Sequence, residues 1–398
     1  EIMKEIKSSN FIKTPIPESD TIQNVLNNIF PTLFTTKEWA KYFLTVIGDN
    51  ILKKNNKFIY LANPSIKNLL TLISNETTKY FSTTINPVES IKLKFHQHNY
   101  ENCRILDTNN TNQLNYTNSE NYIKQNFLNF IAVAVYYSVK HESSDNYIKT
   151  NHRALASIQK RVFYLNHNDI DKIISSFLIK HTVMTNIPNS NLHWNDVLFM
   201  WKYYLQSLNL PNIIFHNTLK TKLQERMSFD KEKEIFINCK SDFFDSVELF
   251  KTFWCETIIT NKPNDDLEIE ELEFLFHIWC KKKDNGHLIL KRSNFNVIDT
   301  ISHFYKSISI NNNKYIVGIQ SKEWNKLNVI KDFLTKLKNK YKKENNSKPI
   351  SFDNVYKEYC KNQQNQLICS KQYFKKKIVT LIDVKHIEEN IILHTYWS

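Results

Sequence analysis

Glycine is nearly missing from this chain. Among 398 residues only Gly48, Gly286 and Gly318 are glycine, and each stands alone. Turns that press backbone N–H groups against phosphates need clustered glycines, so a G-x-x-x-x-G-K-[ST] P-loop is excluded and Gly-rich cofactor folds are disfavoured. Long apolar runs are missing as well. The most apolar stretch, Phe127 to Tyr137, is far short of the roughly 20 residues that span a bilayer, and it reads as a buried helix. The six cysteines, Cys103, Cys239, Cys255, Cys280, Cys360 and Cys369, contain no C-x-x-C pair. That spacing argues against a zinc ribbon and for reduced, partly buried thiols in an intracellular, cytoplasmic protein. No H-E-x-x-H, G-x-S-x-G or zinc-deaminase signature occurs. The first ten residues alternate charge and polarity, unlike a signal peptide, and the start at Glu1 rather than Met suggests a partial or trimmed chain.

Lysine, asparagine and aromatic residues are abundant. Lys and Arg number 53 against 40 Asp and Glu, a net charge of +13, and there are 26 Phe and 19 Tyr. A basic balance suits phosphate backbones, acidic proteins or anionic membranes, of which the membrane is the weakest candidate here. The Asn and Lys bias fits an A/T-rich coding sequence, so the net charge carries less weight than its placement. With 41% hydrophobic residues the chain has material for two or three cores, and scarce glycine favours a mainly helical α+β protein with small β elements.

Residues 1–19 are a polar lead. Residues 20–107 read as an α+β N-terminal domain. Asp20 is placed to cap a helix carrying Ile22, Val25, Leu26 and Ile29, and Thr36 to cap a second carrying Trp39, Phe43, Val46 and Ile47. KFIYLA (57–62) is strand-like, Ser65 opens a third helix, and Ile91–Phe95 and Cys103–Leu106 are further strands. The polar stretch 107–120 reads as a loop. A helical block follows over 121–185, with helices at Tyr122–Val139, Arg153–Leu165 and Asp169–His181, the last capped by Asn168.

From 192 onward the order helix, turn, helix, strand recurs. It occupies 192–260 and 267–345, each ending in a linking helix, and 350–398. Aromatic residues at Trp201/Tyr203, His277/Trp279 and Tyr356/Tyr359 mark the recurrence. We read these as tandem winged-helix-like units; short helix-turn-helix-strand patterns are common enough that coincidence is the alternative. In the last unit Phe374, Ile378 and Leu381 share one helix face, and Gln372, Lys375, Lys376 and the anomalous Val379 point away from it. A Lys-rich second helix before a hairpin is how winged helices meet nucleic acid. The candidate binding set is therefore Lys371, Gln372, Tyr373, Lys375, Lys376 and Lys377. Gln372 or Tyr373 would touch or stack on bases. Lys336, Lys340 and Lys343 on the preceding linker helix and Lys220 and Gln224 in the first unit complete the set. In that first unit Leu219 and Leu223 face inward. The second unit shows Asn296, Asp299, Thr300 and His303 instead, with little positive charge. The plain alternative for each lysine run is a solvated face.

Catalytic signals are weak. His96-Gln97-His98 near Cys103 could place two imidazoles on one strand face, without a visible third ligand. The acidic run Asp265, Asp266, Glu268, Glu270, Glu271, Glu273 reads as an exposed helix start, where carboxylates complement the dipole, rather than as a two-metal site. No enzymatic activity, cofactor or metal is expected.

Two stretches carry a resemblance. SFDNVYKEYCKNQQNQLICSKQYFKKKIV (351–379) resembles the segment that follows the ATPase in poxvirus-type and phage-type superfamily 3 primase-helicases. WAKYFLTVIGDNILKKNNKFIYLANPSIKNLL (39–70) resembles the helical segment that precedes it in large DNA viruses, giant viruses included. The ATPase itself is absent. The resemblance implies a viral protein built from the non-catalytic flanking modules, acting in replication or gene expression in the cytoplasm or virus factory. The expected function is non-catalytic binding of DNA or RNA through the C-terminal unit. The alternative is a helical scaffold that joins protein partners in a replication, transcription or translation-initiation complex.

Overall fold

Ser19 starts the first helix, α1 (Asp20–Ile29): its hydroxyl accepts the Ile22 N–H at 3.3 Å, so the cap sits one residue before Asp20. Thr36 caps α2 (Lys37–Ile51) in the same way. This computed structural model describes residues 19–397 except 55–56, 82–84, 96–98, 110–112, 151–154, 185–189, 264, 284–295, 345–347 and 364–366. His96-Gln97-His98 lies outside the described residues. The chain divides into two compact units, Glu1–Lys240 and Ser241–Ser398. Both are mainly helical with short strands.

In the first unit, β1 (Ile59–Ala62), α3 (Lys67–Phe81), β2 (Ile91–Lys92) and β3 (Cys103–Leu106) follow α2. The three strands are parallel in the order β2-β1-β3, with Tyr60 opposite both Ile91 and Arg104. Tyr60, Leu61 and Ala62 are buried on both faces, which is why this strand reads as a continuous apolar run. The polar stretch after β3 is not all loop: α4 (Gln113–Gln125) begins within it. The helix expected over 122–139 breaks at Asn126 into the end of α4 and α5 (Phe127–Lys140). α5 is buried along nearly its whole length, and no described helix is long and apolar enough to cross a membrane.

α2 and α5 cross at Gly48. A Cβ there would lie 2.1 Å from the Ala134 carbonyl oxygen and 2.7 Å from Ser138 Cβ. Backbone cannot yield as a flexible side chain does, so Gly48→Ala is expected to cost at least the roughly 1–3 kcal/mol of an overpacked core. A urea denaturation midpoint measured against wild type checks this. Next to it, buried Asp49 accepts from the Ser138 hydroxyl at 2.6 Å and the Ser144 N–H at 2.7 Å, tying α2 to α5 and to α6 (Ser144–Thr150). Burial pushes the Asp49 pKa up against these hydrogen bonds.

α7 (Ala156–Val162), α8 (Tyr164–His167) and α9 (Ile170–His181) complete the helical middle, and the α9 cap is Asp169 rather than Asn168. The first recurring set follows: β4 (Val183–Met184), β5 (Leu192–His193), α10 (Trp194–Ser207), α11 (His216–Gln224), β6 (Phe229–Asp230), β7 (Ile235–Phe236) and β8 (Cys239–Lys240). The second unit opens with α12 (Asp245–Thr257) and repeats the order: β9 (Ile258–Ile259), β10 (Asp266–Glu268), α13 (Ile269–Lys281), α14 (Val297–Phe304), β11 (Ser309–Asn311), β12 (Tyr315–Val317) and β13 (Gln320–Ser321). It closes with α15 (Lys326–Lys343), β14 (Ile350–Ser351), α16 (Phe352–Asn362), α17 (Lys371–Leu381), β15 (Ile387–Glu388), β16 (Ile391–Ile392) and α18 (His394–Trp397).

Each set forms a three-stranded antiparallel sheet in the same order: β5-β7-β6, β10-β12-β11 and β14-β16-β15. The corresponding pairs are Leu192↔Phe236, Leu267↔Ile316 and Ile350↔Ile392. In each set the last residue of the first strand is also the helix N-cap: His193, Glu268 and Ser351. Eight residues on, Trp201, Phe276 and Tyr359 occupy matching buried positions. The structural frame is thus displaced from the recurrence expected at Trp279, because burial two turns after the cap, not aromatic count, fixes the register. The hairpins of the second and third sets turn through Asn312-Asn313 and Glu389-Asn390, both residues of each pair at positive φ, the geometry of tight strand reversal.

Candidate nucleic-acid interface

α17 forms because Ser370 caps it, its hydroxyl accepting the Tyr373 N–H at 3.2 Å, and because Phe374 and Ile378 supply the inward face, with Leu381 half-buried. Gln372, Lys376 and Val379 are exposed, as the helical spacing predicts, and Lys375 is partly so. Two candidates depart from the expectation. Tyr373 and Lys377 are only 2% and 6% exposed. The Tyr373 hydroxyl donates to Asp265 at 2.8 Å, and Lys377 pairs with the same carboxylate at 2.8 Å. Tyr373 therefore has no free ring face on which a base could stack. The buried stripe of α17 is wider than Phe374, Ile378 and Leu381 because it packs against the segment leading into β10 as well as against α15 and α16.

The remaining α17 cations are engaged too. Lys371 and Lys375 both reach Asp353, at 3.0 and 2.7 Å, and Lys376 reaches Asp266 at 3.6 Å. The Gln372 side-chain oxygen accepts from the Tyr315 hydroxyl at 2.8 Å. The pairs of Lys371, Lys375 and Lys376 are surface pairs, of the class worth about 0–1 kcal/mol. The Lys377 and Tyr373 contacts are shielded. Burial raises the Asp265 pKa, but the hydrogen bonds from Lys377 and Tyr373 outweigh it and hold the carboxyl below its usual range.

The acidic run does open a helix, with Glu270 and Glu271 in its first turn, but it is exposed only in part: Glu270 and Glu273 are exposed, Asp265 and Asp266 half-buried, and Glu268 and Glu271 only 7% exposed. At its centre is Lys326, the first residue of α15. Its ammonium lies 2.8 Å from Glu271, 4.0 Å from Asp266 and 3.9 Å from the centre of the Tyr373 ring. Glu271 also accepts the Glu268 N–H at 2.9 Å, closing the start of α13. Burial pushes the Glu271 pKa up against the pull of Lys326. Among the described residues no group of three or more His, Cys, Asp or Glu side chains is placed to hold a metal ion.

In the first unit Leu219 and Leu223 are fully buried, as expected. Lys220 is held by Glu234 at 2.6 Å and lies over the rings of Trp194 and Phe229. Gln224 is half-buried, and the adjacent Lys222 and Arg226 share Asp171 on α9. In α14, Thr300 is buried and donates to the Asn296 carbonyl, so it is not on the outer face.

α15 is different. Asn325 caps it, and Ile330, Phe333, Leu334 and Leu337 bury its inner face. Lys336, Lys340 and Lys343 lie at i, i+4 and i+7 along one exposed flank, and among the described residues no carboxylate lies within ion-pair distance of any of them. Lys331 and Lys342 are exposed on the other flank, and Lys338 lies over the Tyr396 ring at 4.7 Å. The cations of the last turn also complement the helix dipole. No family model, curated protein or solved structure matches the chain.

Proposed function

We propose that this chain is a non-catalytic nucleic-acid-binding protein in which winged-helix-like units form the architecture and α15 supplies the phosphate contacts. One observation carries the reading. Of the lysines that the sequence singles out, Lys336, Lys340 and Lys343 are exposed with no ion-pair carboxylate among the described residues, whereas Lys371, Lys375, Lys376, Lys377 and Lys220 each have one. Unneutralised ammonium groups on a rigid helix gain most from displacing phosphate counterions. The resemblance to modules flanking viral primase-helicases would place that binding in replication or gene expression of a large DNA virus.

In fluorescence anisotropy at low salt, Lys336→Glu, Lys340→Glu and Lys343→Glu together are expected to weaken binding of a 20-base-pair duplex by about tenfold or more, with helix content unchanged by circular dichroism. A wild-type protein that ignores nucleic acid at low salt would remove this reading. It would leave the adaptor reading, which the commitment of α17 to internal contacts favours; co-purification with a defined protein partner after nuclease treatment would then support it.

A further inference from the structure

We infer that the ligand of α15 is the backbone of a duplex, followed over about three phosphates and without regard to sequence; this rests on the proposed nucleic-acid reading. The spacing is the first argument. Steps of three and four residues advance about 4.5–6 Å along a helix, close to the roughly 6–7 Å between successive phosphates of one strand, for which the axial rise is about 3.4 Å. Lys336, Lys340 and Lys343 can therefore follow one strand, each long flexible stem absorbing the remaining mismatch.

The boundaries are the second argument. Asp332 lies one turn before Lys336, and Glu344 follows Lys343; both are exposed and repel phosphate. The track is bounded at both ends. The chemistry of the face is the third. Lysines act as point charges on phosphate, whereas reading bases takes paired donors and acceptors that reach the groove floor. Thr335 and Asn339 are the uncharged polar residues exposed on α15 near this flank, and both are shorter than the lysines beside them. Single strands are held by stacking on exposed rings. Here Phe333 is buried, and Tyr341 is half-buried against Trp397 at 5.0 Å. Because the apolar face of α15 is consumed by the core, the helix has no free apolar face to lay into a membrane.

The test is anisotropy with the full chain, two 20-base-pair duplexes of unrelated sequence and their four separate strands, from about 50 to 200 mM salt. The two duplexes should bind within about twofold of each other and more tightly than every single strand. Three phosphate contacts should give a slope of log K on log salt near −2.7. Lys336→Gln, Lys340→Gln and Lys343→Gln together should make that slope shallower by about the same amount. A single strand that binds more tightly than the duplexes, a preference above tenfold for one duplex, or a slope unchanged in the variant would overturn the inference while leaving nucleic-acid binding intact. Failure of every ligand to bind would overturn both.

Discussion

Arg104→Ala is expected to remove about 3–5 kcal/mol from the first unit. Arg104 is 4% exposed on β3, and its guanidinium forks onto Asp145 at 2.8 and 3.0 Å. The third nitrogen donates to the carbonyls of Glu101 and Cys103 at 2.8 and 3.0 Å. Phe58 and Phe163 cover the group at 4.1 and 4.7 Å from their ring centres. Truncation leaves Asp145 charged, buried and without its cation, the costly half of a broken pair. Arg104→Lys should recover little, because one ammonium cannot serve the carboxylate and both carbonyls in the planar fork. Replacing Arg104 by Met together with Asp145 by Leu should cost less than Arg104→Ala alone, since no charge is then stranded. Amide exchange read by mass spectrometry would show protection lost across β1 and β3. Unchanged protection in Arg104→Ala would mean that the pair does not hold this sheet.

Lys326→Met should be comparably severe in the second unit, by about 3–5 kcal/mol, for the same reason. Its ammonium is the shared cation of Glu271 and Asp266 and lies on the face of Tyr373, so one side chain joins α13, β10 and α17. Without it, Glu271 keeps, among the described residues, the Glu268 N–H. The sign of the pH effect follows. Burial already raises the folded-state pKa of Glu271, and loss of Lys326 raises it further. A raised carboxyl contributes stability while protonated, and that contribution is lost as pH rises through the folded pKa. The penalty of Lys326→Met should therefore be smaller at pH 5 than at pH 8, measured as the difference from wild type in urea at each pH. Adding Glu271→Gln, which keeps an acceptor for the Glu268 N–H, should restore part of the loss and remove the pH dependence. A penalty that is the same at both pH values would show that Glu271 is not the stranded charge.

Helix positions are largely readable in the sequence, their caps less so: Thr36 caps where its spacing predicts, whereas Ser19 and Asp169 cap in place of Asp20 and Asn168. Thr36 and the Phe374/Ile378 face act through neighbours within one or two turns, and local spacing reports such contacts. The leading strands β5, β10 and β14 were missed because two or three residues carry no period. The parallel order β2-β1-β3 depends on which strands meet, which no local pattern encodes. The candidate site was misjudged where long-range partners decide exposure. Tyr373 and Lys377 are buried by Asp265, more than a hundred residues earlier in the chain. Glu271 is buried against Lys326, 55 residues later in the chain. The α15 lysines are exposed because their spacing sets them on a flank outside the core face of the same helix.

The most direct measurement compares two triple variants on one duplex at low salt, Lys336→Gln/Lys340→Gln/Lys343→Gln on α15 and Lys371→Gln/Lys375→Gln/Lys376→Gln on α17. Each removes three positive charges, so a nonspecific charge effect weakens both alike. The α15 variant should lose about tenfold or more in affinity while the α17 variant stays within about twofold of wild type. Equal losses, or a greater loss from α17, would contradict the assignment of phosphate binding to α15.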